Sequence, residues 1–179
     1  MQPYRVDVSS ILEDLGASED VEGTFPLERL VVGDAEFTLL EPATVVVTLT
    51  NTGSSVVASG VVVAPTTTAC CRCLEPFELV ITGDVEGFYV RHGLESEVPE
   101  DQEVEPILPD GTVDLAPALL AALTVEAPFA PLHDESCAGL CPVCGCDLNV
   151  DRCDCHVTVA ETHPFAALKD LLEEGSETR

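Results

Sequence analysis

The chain reads as an α+β protein: an antiparallel β-sheet, a meander able to curl toward a barrel-like form, with a covering helix, a C-terminal knuckle region and a short terminal helix. Three observations carry that reading. β-Branched residues alternate with period two over 44–50 and return over 56–68; an apolar stripe at helical spacing follows at Leu115, Leu119 and Leu123; and six of the nine cysteines fall within 137–155. A length of 179 residues with 46% hydrophobic content suffices for one buried core and a small appendage. The expected division is a sheet-and-helix domain over 1–132 and a cysteine-rich extension over 133–179, packed on the first as one unit.

Taken in order, residues 4–8 are expected to form a strand, 9–15 a short helix capped by Ser9 or Ser10, and 23–32 another extended piece. In the run 44–50, Val45, Val47 and Leu49 share one face, while Asn51, Thr52, Gly53, Ser54 and Ser55 carry turn chemistry. The return over 56–68 makes a hairpin. Residues 77–82 alternate again and continue to 88–90, with Gly83 and Gly87 read as bulge positions in a bent strand. The stretch 94–106 holds six acids and two prolines without periodicity and reads as an exposed loop. Asp114 is placed to cap a helix from Leu115 to about Glu126, with Pro117 tolerated in the first turn and the leucine stripe facing the sheet. Pro128 and Pro131 end it. Pro164 and the stripe Phe165, Leu168, Leu171 and Leu172 predict the terminal helix.

Cysteine spacing points to the chemistry. In Cys141-Pro142-Val143-Cys144-Gly145 the two-residue spacer lets both thiolates reach one metal ion, and the glycine supplies the left-handed backbone that the turn needs. Cys153 and Cys155 follow closely, giving the four ligands of a closed tetrahedral zinc site. A second C-x-x-C, Cys70 and Cys73, lies at a turn between strands; a redox dithiol would instead sit at a helix N-terminus in a βαβ unit. His133 and Cys137 can complete its ligand set. Two structural Zn2+ sites result, Cys70/Cys73/His133/Cys137 and Cys141/Cys144/Cys153/Cys155, with Cys71 and Cys146 left as free thiols or groups beside the ligands. The alternative partition joins Cys137, Cys141 and Cys144 with Cys153 or Cys155 and leaves Cys70 and Cys73 without metal. His156 and His163 are weaker candidates, and His92 is set aside.

A net charge of −26, from seven Lys and Arg against 33 Asp and Glu, disfavours non-specific binding to a phosphate backbone and favours a basic protein partner. The first residues lack a basic segment followed by an apolar run, and no run of ~18 apolar residues follows, so a cytoplasmic protein without membrane spans is expected. There thiols stay reduced, and clustered cysteines read as metal ligands before disulfides. Four protein ligands close a zinc site, which argues against a hydrolase. A zinc-ribbon transcription factor would need a basic reading face. A thiol-based redox or zinc-responsive regulator is the alternative class.

Five segments together resemble the YceD family, also called large ribosomal RNA subunit accumulation proteins, in its Gram-positive and actinobacterial form with a cysteine-rich extension. They are CCRCLEPF at 70–77, VDLAPALLAAL at 113–123, APLHDESC at 130–137, CAGLCPVCGCDLNVDRCDC at 137–155 and HPFAALKDLL at 163–172. The resemblance covers about residues 60–175 and falls on Cys70, Arg72, Cys73, His133, Cys137, Cys141, Cys144, Gly145, Cys153 and Cys155. Relatives with the extension carry a cysteine where this chain has His133, an exchange that keeps a metal ligand. The resemblance implies a non-enzymatic ribosome-biogenesis factor supporting synthesis, processing or accumulation of 23S rRNA. The acidic surface makes a basic ribosomal protein or RNA-processing enzyme its expected partner. Arg72 and Arg152, beside the knuckles, are expected to hydrogen-bond the thiolates rather than to bind RNA.

Overall fold

The computed structural model describes residues 3–91 and 104–155. Its strands are β1 (Arg5–Asp7), β2 (Ser18–Phe25), β3 (Arg29–Val32), β4 (Ala35–Leu39), β5 (Ala43–Asn51), β6 (Ser55–Ala69), β7 (Pro76–Arg91), β8 (Glu105–Ile107) and β9 (Thr112–Asp114), followed by the helix α1 (Ala116–Glu126). Contacts divide the chain into two compact units, Met1–Glu135 and Ser136–Arg179. All ten elements belong to the first.

The sheet is built on the β5–β6–β7 meander. Val45, Val47 and Leu49 of β5 and Val56, Ala58, Val62 and Ala64 of β6 are buried on one face, as the period-two pattern requires. The turn between β5 and β6 is held from within: Gly53 takes φ +98°, its N–H donates to Asn51 Oδ1 at 2.8 Å, and Thr52 N donates to the Ser55 carbonyl at 2.8 Å. β6 is long enough to pair with β7 along one whole edge and with β5 and then β4 along the other. β2 extends the sheet beyond β5, β3 extends it beyond β4, and β8 joins β7 in parallel. Among the described residues no pairing closes this path, so the sheet is open; β1 and β9 form a separate two-stranded sheet.

Gly83 and Gly87 are not bulges, for the β6–β7 register runs unbroken from Ser55 opposite Val90 to Ala69 opposite Pro76. A Cβ at Gly83 would lie 2.6 Å from the Ala122 carbonyl, so glycine is there to let α1 approach the sheet. The stripe Leu115, Leu119 and Leu123 is fully buried, and α1 packs chiefly on β7. The helix starts one residue later than expected. Leu115 is the N-cap and makes no side-chain cap bond, while Asp114 Oδ1 still accepts from Ala116 N at 3.0 Å.

Three other expectations change. Residues 9–15 form turns, because the atoms a helix would use are engaged elsewhere: Asn51 Nδ2 donates to the carbonyls of Ile11 and Asp14, and Ser10 Oγ donates to Glu19. The stretch 23–32 breaks into the end of β2 and the start of the β3–β4 hairpin. Glu105 and Pro106 belong to β8 rather than to a loop. The terminal helix expected from Pro164 onward, most of the acidic stretch, and His92, His156 and His163 lie outside the described residues.

Candidate metal centres

β6 ends at Ala69 and β7 begins at Pro76, so the first C-x-x-C is the connection between the two longest strands. Cys70 N donates to the Glu75 carbonyl at 2.9 Å, Leu74 N donates back to the Cys70 carbonyl at 2.9 Å, and Leu74 takes φ +65°. The second C-x-x-C repeats this pattern. Cys141 N donates to the Cys146 carbonyl at 2.8 Å, Gly145 N to the Cys141 carbonyl at 2.9 Å, and Gly145 takes φ +74°. Glycine was read as the turn's requirement at 145; at the first knuckle a leucine adopts the same conformation, at a cost of about 1–2 kcal/mol.

The segment before Cys137 is fastened to the first knuckle. Cys71 N donates to the Pro131 carbonyl at 2.8 Å and Arg72 Nη1 to the Glu135 carbonyl at 3.1 Å, which presents His133 between them. His133 Nδ1 lies 3.4 Å from Cys73 Sγ, and its ring meets Phe77 edge-on with centroids 6.4 Å apart. Ligand atoms of Cys70, Cys73, His133 and Cys137 all lie within 4.8 Å of one another. The three sulfurs are buried, and the imidazole is exposed. Asn149 Nδ2 donates to Cys137 Sγ at 3.5 Å, a supporting contact that the spacing gave no reason to expect.

Burial raises the Cys70 pKa, but backbone N–H groups of Cys73, His133 and Arg72, together with the His133 side chain, outweigh it and bring the thiol from 9.0 down to about 5. At the second knuckle the N–H groups of Cys144 and Val143 lead in lowering Cys141 to about 6; Val143 N lies 3.4 Å from Cys141 Sγ. Both leading cysteines are thus shifted toward the thiolate, the ligating form.

The second group consists of Cys141, Cys144, Cys146 and Cys153, again within 4.8 Å of one another. Cys146 is a member that the spacing argument had left aside. Its sulfur returns to the cluster because the chain reverses at Gly145, a reversal continued by the antiparallel bridge between Leu140 and Asp147. The repeated C-x-C spacing of Cys144/Cys146 and Cys153/Cys155 was the available signal. Cys155, expected in this set, lies against Cys144 and Cys153, and those sulfurs push its own pKa up to about 12. Cys144 leads in pushing Cys146 up to about 12 as well. Such crowded thiols cannot all ionise without a cation among them.

Both donor sets suit a tetrahedral ion such as zinc. Zn–S bonds of about 2.3 Å place sulfurs about 3.8 Å apart, which falls inside the 4.8 Å that bounds each group, and N–H···S bonds to the first cysteine of each knuckle orient the sulfur. Four protein ligands would fill the coordination sphere of a tetrahedral ion at either group. Cys71 is exposed at the first knuckle.

An antiparallel sheet in the first unit, together with two cysteine-rich clusters able to hold a metal ion, defines the class of protein. The chain belongs to the YceD family: the family model described as "Large ribosomal RNA subunit accumulation protein YceD" matches residues 58–172. It is also similar to uncharacterized proteins of Mycobacterium tuberculosis (Rv2926c) and Mycobacterium bovis (Mb2951c), each 35% identical over 129 residues, covering 72% of this chain and 61% of the relative. An uncharacterized protein of Mycobacterium leprae (ML1660) is 26% identical over 155 residues, covering 84% of this chain and 70% of its own length. The chain therefore spans about 61% of the length of the first two relatives. No solved structure matches it.

Proposed function

We propose that the chain is a non-enzymatic, cytoplasmic ribosome-biogenesis factor that supports synthesis, processing or accumulation of 23S rRNA, with structural zinc in both cysteine clusters. Family membership carries this reading, and the closed donor sets support a structural role for the metal. Among the described residues no helix is long and apolar enough to cross a membrane.

The partner we propose is a basic protein, a ribosomal protein or an RNA-processing enzyme, rather than RNA held by charge alone. The net charge of −26 supports this, since an acidic surface attracts and shields a cationic chain before assembly. A docking place is an open groove of about 530 Å³ beside the first knuckle. The exposed apolar side chains of Leu74 and Phe129 line it together with Cys71, and Asp34 and Glu36 supply negative charge. Phe129 is poised by Gly33, where a Cβ would come within 2.8 Å of its ring. An apolar side chain flanked by Lys or Arg fits this chemistry. Zinc at the knuckle would hold the groove wall in shape.

The test is a sucrose-gradient profile of ribosomal subunits from cells lacking the gene. The expected result is a deficit of large subunits and 23S rRNA, restored by the wild-type chain and less well by a Leu74→Asp/Phe129→Asp variant. An unchanged profile contradicts the role. A thiol-based or zinc-responsive regulator is the second reading, favoured by the exposed Cys71 beside a low-pKa Cys70. It requires rapid thiol modification while metal stays bound.

A further inference from the structure

β7 is the longest strand, yet only one of its edges is fully used. That edge pairs with β6 over 76–90, while the other meets β8 only at Tyr89, Val90 and Arg91. Among the described residues no strand lies beside the second edge over 76–88. A bare edge offers a backbone N–H and C=O at every second residue and is a template on which a further strand can be added.

The space beside that edge is shaped. An open groove of about 320 Å³ is lined by Ala118, Ala121, Ala122 and Val125 of α1 and by Asp84 and Glu86 of β7, with Glu126 at the end of the helix. α1 has no polar face: over 116–125 only Thr124 is polar. A helix that is apolar all round is normally covered all round, but Ala121 is exposed and Val125 is 80% exposed. On β7 the buried Gly83, Val85 and Gly87 alternate with the exposed Asp84 and Glu86, so the two carboxylates stand on the face away from the core. A strand laid along this edge would turn one row of side chains toward α1 and set the alternate row beside Asp84 and Glu86.

We propose that the open edge of β7 accepts an extended segment of a basic partner protein as an added strand, with small apolar side chains seated on α1 and, at alternate positions, Lys or Arg beside Asp84 and Glu86. Charge decides the occupant. The chain's own residues before β8 include Glu95, Glu97, Glu100, Asp101 and Glu103, which would meet Asp84, Glu86 and Glu126 with like charge. A second copy of the chain brings the same net charge of −26. A cationic strand meets neither obstacle. This rests on the reading of a basic partner and adds a second place and mode of recognition, separate from the groove at Leu74.

The experiment is titration of the full chain with a short, end-capped peptide alternating Lys with Val, followed by fluorescence anisotropy and by amide hydrogen exchange of β7. Expected is saturable binding, with new protection at the alternate amides over 79–88 that face away from β6. N-methylation of one alternate set of peptide nitrogens should weaken binding at least about tenfold, and N-methylation of the other set should leave it unchanged, because only one set faces the strand. Ala121→Glu adds a carboxylate yet fills the groove, so it should weaken binding, whereas attraction by charge alone would leave the affinity unchanged or raise it. Leu74→Asp/Phe129→Asp should bind the peptide as the wild type does. No binding, binding indifferent to both N-methylated sets or to Ala121→Glu, or saturation without protection of β7 overturns strand addition. Loss of binding in Leu74→Asp/Phe129→Asp moves the peptide to the other groove and overturns it as well. Each of these results leaves the ribosomal role to its own test in the subunit profile.

Discussion

Leu74 and Gly145 occupy equivalent places in two turns with the same hydrogen bonds, yet only one is the residue that its backbone prefers. A Cβ at Gly145 would meet nothing within 4 Å, so any cost of substitution there is conformational rather than steric. Gly145→Val should destabilise the metal-loaded protein by about 1–2 kcal/mol, and Gly145→Asn by less, because asparagine tolerates the left-handed region. Denaturant unfolding of the three proteins at fixed metal concentration checks this order. Proton competition belongs to the same residues. The Cys70 pKa is depressed from 9.0 to about 5, so the stabilisation from its thiolate is full above 9.0, declines as pH falls, and is gone below about 5. Cys141, depressed to about 6, loses its share earlier on acidification. Metal should be retained at neutral pH and released on acidification, essentially completely by about pH 4, as followed by a zinc-sensitive dye during titration.

Between residues and molecule stands the packing of α1 on β7. Gly83→Leu would drive a side chain into the backbone at Ala122 and should cost about 1–3 kcal/mol, while Leu119→Ala, at a fully buried position, should cost about 2–5 kcal/mol. Thermal unfolding measures both. The glycine also marks where the sequence stops being legible. Alternation and turn residues disclose the β5–β6 hairpin and the leucine stripe discloses α1, because those signals are local. Gly83 looks like a bulge until the helix that covers it is known. Residues 9–15 look helical until Asn51, distant in sequence, takes the carbonyls of Ile11 and Asp14. The metal centres follow the same division. C-x-x-C spacing identifies Cys70, Cys73, Cys141 and Cys144, and arithmetic on the remaining ligands reaches His133 and Cys137. The place of Cys146 depends on a reversal of the chain at Gly145, which no count of ligands contains.

Across the whole molecule, charge and metal are separate arguments. With a net charge of −26, affinity for a cationic partner should fall at least about tenfold between low salt and about 0.5 M salt, while affinity for naked 23S rRNA should be weak at every salt concentration. Isothermal titration against a purified basic ribosomal protein and filter binding of rRNA separate these terms. A metal held at the first centre would set which surface is presented, since that centre lies at the turn that forms one wall of the Leu74 groove. Of the nine cysteines, seven are needed as ligands in two occupied centres, leaving Cys71 and Cys155. The most direct measurement is therefore zinc analysis of reduced protein purified without chelator, combined with counting of reactive thiols before and after chelation. Two equivalents of zinc, with about two reactive thiols rising to nine when the metal is removed, is the predicted result. Protein that is folded, free of transition metal and reactive at all nine thiols would contradict the account.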